Sequence, residues 1–137
     1  MKMDYATTPR SNNSKTGNMP TLWVGVTKEQ ALESCRISGC KLFPKRFGGE
    51  GGQINDQLKL KPCYAWQGTV GFAAISIYKA FARNSRKYKI ENALNAAPRS
   101  ARVLRLTGIG DPSALTEGQA DHITEVTHHH KMMLYGF

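Results

Sequence analysis

Cys35, Cys40 and Cys63, followed far downstream by the run Thr127-His128-His129-His130-Lys131, are the residues of this chain whose types could do metal chemistry. Thiolates and an imidazole are good ligands. Three cysteines with His130 make the donor set of a Cys3His zinc site, and three thiolates alone would hold an iron–sulfur cluster with one open position. The spacing is C-x4-C and then a third cysteine after 22 residues. It fits neither a zinc ribbon nor a finger, because both need two close pairs. The alternative is three reduced thiols that serve as small core side chains, with the histidines on a solvated helix end. An odd cysteine count without paired spacing agrees with a reducing compartment.

A second constellation is electrostatic. Lys79, Arg83, Arg86 and Lys87 fall on one side of a predicted helix, and Tyr88 and Lys89 extend the patch. Such a face can neutralise several phosphates and bind polyanions without reading sequence. No helix-turn-helix, finger or RNA-recognition signature accompanies it, so base readout has no support, and the bland reading is a solvated helix back. Gly48-Gly49-Glu50-Gly51-Gly52 lacks the Lys-Ser/Thr ending of a P-loop, and Gly108-Ile109-Gly110-Asp111 has no third glycine opening a helix. His122 with Glu125 three residues on could do acid/base work, although such pairs are more often surface contacts.

These residues must be positioned by a small set of elements. Residues 1–20 are turn chemistry with little to bury and read as a polar N-terminal arm, leaving 21–137 as a single α/β domain. Thr21 to Val26 is β-branched and aromatic, the first strand, followed by a short helix from Lys28 with Thr27 as N-cap. Thr69 to Tyr88 gives a long helix whose stripe is Gly71, Ala74, Ile75, Tyr78, Phe81 and Ala82. Helices over Ile90 to Ala97 and Leu115 to Val126 alternate with strands over Arg102 to Thr107 and Met132 to Phe137, the last apolar enough to be buried. This order predicts a mostly parallel three-stranded sheet with crossover helices. Loops after parallel strands share the carboxyl edge, where Cys35, Cys40 and Asp111 are expected to converge.

Composition sets the outer limits. The chain has 137 residues, enough for one core, and its 19 Lys and Arg against 10 Asp and Glu give a net charge of +9. The pI near 9.7 points to nucleic acid or an acidic protein surface as partner. The longest apolar run, Val70 to Ala82, is interrupted by Gly71, Ser76 and Lys79, so no membrane association is expected. The polar start excludes a secretory signal, and a cytoplasmic location is expected.

Read in order, several short motifs resemble a bacteriophage family known as gene-product-eighty-eight-like. They are Lys15-Thr16-Gly17-Asn18-Met19-Pro20, Cys35 and Cys40, Cys63-Tyr64-Ala65-Trp66-Gln67-Gly68, Leu104-Arg105-Leu106 with Gly110-Asp111-Pro112, and Thr127-His128-His129-His130-Lys131. The resemblance implies a partial, barrel-like α/β scaffold, with Cys35, Cys40, Cys63, Asp111 and His130 as the positions to watch. Against the family pattern the gap between Cys40 and Cys63 is long, and the chain reads as a short, truncated member with ligands lost. The leading expectation is therefore a phage-encoded binding protein that engages nucleic acid, or a host nucleoprotein or defence complex, as accessory or inhibitor. The expected contact residues are Lys79, Arg83, Arg86, Lys87 and Lys89. The competing expectation is a metalloenzyme with zinc or an iron–sulfur cluster on Cys35, Cys40 and Cys63. An uncovered sheet edge would also allow a homo-oligomer.

Overall fold

The computed structural model describes residues 3–10, 18–39, 68–108 and 110–136. Its elements are β1 (Tyr5–Thr8), β2 (Thr21–Val24), α1 (Lys28–Ile37), α2 (Gly68–Ala82), α3 (Ile90–Ala96), β3 (Val103–Leu106), α4 (Glu117–His129) and β4 (Met133–Gly136), with a 3-10 turn at Pro112–Ala114. The chain is mixed α/β, and the strands form one open sheet in the order β1-β2-β3-β4. β1 runs antiparallel to β2, Tyr5 opposite Val24, while β2–β3 and β3–β4 are parallel, Thr21 opposite Arg105 and Leu104 opposite Leu134.

The expected sheet of three strands is corrected to four, and it is open instead of barrel-like. The added strand lies inside the segment read as a polar arm. Its cause is visible in β2, all four of whose residues are buried, so β2 needs a neighbour on each side as well as cover on both faces. Tyr5–Thr8 supplies the missing neighbour and buries Ala6 and Thr7, while Met3 just before it joins the core.

Side chains alternate across β2 as strand geometry requires. Trp23 points to one face, where it packs with Ala6, Val26, Ala31, Ala74 and Ile77 beneath α1 and α2. Leu22 and Val24 point to the other, with Met3, Ile90, Leu94, Leu104 and Ile123 beneath α3 and α4. Helices thus cover both faces of the sheet. Burying a side chain such as Leu22 or Leu104 contributes about 1.5–3 kcal/mol.

Caps set the helix boundaries. Thr27 accepts from the Gln30 N–H at the start of α1, and Thr116 with Gln119 forms a reciprocal capping box on α4. Gly25 adopts φ +94°, and a Cβ there would lie 2.5 Å from the Ala31 nitrogen, so the turn from β2 into α1 requires glycine. α2 shows a second difference from expectation. Its buried side is Ala74, Ile77 and Ala80, flanked by half-buried Ala73, Tyr78 and Phe81, whereas Ile75 is 48% exposed and Ala82 is exposed as well. A helix apolar nearly all round carries a weak periodic signal, and packing against β2 and α1 selects the face.

The last strand is also corrected. β4 is exposed at all four positions, Met133 at 72%, and lies at the edge of the sheet. The opposite edge is closed, since the Thr7 N–H donates to the Tyr88 carbonyl at 2.8 Å. Among the described residues no helix is long and apolar enough to cross a membrane.

Candidate nucleic-acid interface

The segment that closes the β1 edge also carries the basic face. α2 ends at Ala82, and Asn84 takes the left-handed conformation, φ 56°, that asparagine tolerates at a helix C-terminus. The Ser85 N–H then reaches back to the Ala80 carbonyl at 2.9 Å, and the Asn84 N–H to that of Phe81 at 3.0 Å. Downstream, the Lys89 N–H donates to the Arg86 carbonyl, which also accepts from the Asn92 side-chain amide at 2.9 Å. Together with the Thr7–Tyr88 bond, these contacts hold residues 83–89 in one conformation.

From this ordered turn Arg83, Arg86, Lys87 and Lys89 project into solvent, with Lys79 exposed one helical turn before Arg83. Between Gly68 and Pro98 these five are the only cations and Glu91 the only acid. Among the described residues none of the five is in an ion pair, the pairs there being Arg36 with Glu33 and His122 with Glu91. Cations beyond a helix C-terminus are favoured by its dipole, so part of this charge also stabilises the end of α2.

Two aromatic rings lie beneath the cations. The Lys89 ammonium sits 5.8 Å from the Phe81 ring centroid, and that of Lys87 sits 5.4 Å from the Tyr88 centroid. Both rings are half-buried and pack against the α1/α2 core. Beside them a cavity of about 210 Å³ is walled by Asp4, Tyr5, Phe81, Ile90 and His122. Phe81, Lys89 and Glu91 also line an adjoining open groove that runs past Asn84, Arg86 and Asn92.

Glu91 sits where the cavity and groove meet. Its Oε1 accepts from His122 Nε2 at 2.6 Å, so the histidine is tied to α3 and not to Glu125 on its own helix. The Glu91 carboxyl lies below the usual carboxylate range, chiefly through its own backbone N–H; desolvation opposes the shift, and His122 and Lys89 add to it. Tyr5, facing this corner, is pushed up to about 12 by burial and by the Glu91 charge.

Among the described residues the expected metal ligands do not come together. Cys35 is half-buried on α1 beside Tyr78, whose phenol is raised to about 12 by burial first and then by Cys35 and Glu29. His130 terminates α4, its ring edge-on to His129, and α1 and α4 pack on opposite faces of the sheet. Asp111, expected near Cys35, accepts from the Ser113 N–H and so caps the 3-10 turn. Cys40 and Cys63 lie outside the described residues. Among the described residues no three His, Cys, Asp or Glu side chains are grouped to hold a metal ion.

The sequence reading grouped Tyr88 with the five cations but put Phe81 on the apolar stripe of the helix and missed the cross-helix His122–Glu91 pair. The signal for the aromatic underlay was Phe81 and Tyr88 interleaved with Lys and Arg in one short stretch. The pair joins residues 31 positions apart and had no local signal. The chain matches no family model, no curated protein and no solved structure.

Proposed function

We propose that this protein binds nucleic acid through its backbone phosphates, using Lys79, Arg83, Arg86, Lys87 and Lys89, without a catalytic step. The observation that supports this reading is the concentration of five exposed cations on an internally hydrogen-bonded segment, against a single acid. A hydrogen-bonded backbone beneath the cations lowers the ordering cost of binding, and each phosphate neutralised releases condensed counterions. In the bacteriophage setting that the motif resemblance implies, a host nucleoprotein or defence complex would be engaged through its nucleic acid at the same face. The test is fluorescence anisotropy with a labelled oligonucleotide over a salt series. Affinity is expected to fall linearly on a log–log plot, and a salt-independent or absent interaction overturns the proposal.

A second surface bears on assembly. The exposed strand β4 presents Met133 and Leu134, and among the described residues no strand pairs with its outer edge; sheet edges of this kind pair with other chains. Sedimentation is expected to show concentration-dependent self-association that a Leu134→Lys substitution reduces.

A further inference from the structure

We infer that the basic face is built for a single strand, with bases stacked on Phe81 and Tyr88 while the phosphates are held by the surrounding cations. The inference rests on the nucleic-acid reading above and goes beyond it in naming the strand form and the groups that select it. A duplex hides its base faces, so only an unpaired strand can stack on aromatic rings at a basic surface. Here two half-buried rings seven positions apart each have a lysine ammonium over the ring, at 5.8 Å from the centroid for Phe81 and 5.4 Å for Tyr88. Both are braced from behind by the core, and Tyr88 is fixed further through its carbonyl bond to Thr7.

The lysines do not block the site. Base–aromatic stacking is stronger than an exposed cation–π contact, so an arriving base displaces the ammonium. The freed lysine remains on the same surface, where the phosphate flanking that base needs a counter-charge. The cavity beside Phe81 has room for a base edge, and the Asn84 and Asn92 amides in the adjoining groove offer sequence-tolerant hydrogen bonds. Glu91, held in place by His122, is an acceptor at the junction. It repels a phosphate but accepts from an exocyclic amino group, which places a base and not the backbone at that point.

The experiment compares, at one salt concentration, the full chain binding a labelled 12-nucleotide single-stranded DNA, the same sequence as RNA, its DNA duplex, and inorganic polyphosphate. Either single strand is expected to bind roughly tenfold tighter than the duplex or polyphosphate. Phe81→Leu with Tyr88→Leu should lower single-strand affinity to that of the duplex, with the melting temperature checking that the fold is kept. A strand carrying 2-aminopurine gives a readout that needs no variant, since stacking on the rings of the unmodified protein changes its fluorescence on binding. Equal affinity for duplex and single strand, or an unchanged 2-aminopurine signal in a saturated complex, overturns the stacking inference while the charge reading stands. Failure of all four probes to bind at low salt overturns both.

Discussion

Neutralising three of the five cations gives the most quantitative handle on the basic face. Lys79, Arg83 and Arg86 are exposed, and among the described residues none is in an ion pair, so Lys79→Gln, Arg83→Gln and Arg86→Gln together should leave folding nearly unchanged. Surface changes of this type stay within roughly 0.5 kcal/mol each. For single strands the slope of log K against log salt is about −0.7 per phosphate neutralised, so five engaged cations give a slope of about −3.5 and the remaining two about −1.4. Between 50 and 200 mM salt the parent should therefore lose roughly a hundredfold in affinity and the variant only about sevenfold. Anisotropy titrations with a labelled oligonucleotide at four salt concentrations measure both slopes. A variant whose slope matches the parent's, with its melting temperature preserved, would show that the counterions are released elsewhere and refute the assignment.

Three further outcomes follow from the same geometry. Glu91→Gln should tighten binding of a single strand by roughly two- to fivefold, as one repelling unit charge is removed from the groove. Because the folded-state carboxyl is depressed, its stabilising contribution is present above the ordinary glutamate range and lost as pH falls through the folded value. The half-exposed pair with His122 makes that contribution small, about 0.2–1 kcal/mol, so thermal melts of the variant should show a flatter acid limb below the ordinary glutamate range. At the alkaline end Tyr5 and Tyr78 are raised to about 12, so two of the five tyrosines should resist ionisation until pH approaches 12 when absorbance near 295 nm is followed. Stability should then fall as pH rises from about 10 toward 12, since the unfolded chain releases those protons first. Gly25→Ala forces a Cβ against the α1 backbone at positive φ and should cost about 2–4 kcal/mol in chemical denaturation, without changing the salt slope.

The parallel core was legible because each part of it had a local cause. The β-branched and aromatic run at Thr21–Val24, the Thr27 cap and the Pro98 stop each mark an element by short-range chemistry. β1 was hidden because its strand character resides in four residues flanked by turn formers, and its burial follows only from the needs of β2. α2 was read too long and rotated: the expected helix ran to Tyr88 whereas α2 ends at Ala82, and because a helix apolar on most sides does not declare its buried stripe, Ile77, not Ile75, meets the core. β4 read as buried from its composition, yet apolar content does not say whether a strand is central or marginal. For the site, the cations could be counted from the chain, whereas Phe81 under Lys89 and Glu91 against His122 depend on tertiary placement. The metalloenzyme reading draws on Cys40 and Cys63, outside the described residues, and metal content of anaerobically purified protein decides it.

The most direct test of the central claim is an NMR titration of the ¹⁵N-labelled full chain with a 10-nucleotide single strand at low salt. Amides of residues 79–92 are expected to shift together, with the ring protons of Phe81 and Tyr88, while the amides of α1 and β4 stay in place. Shifts concentrated on β4 or around Cys35, with the 79–92 segment unmoved at saturation, would contradict that claim.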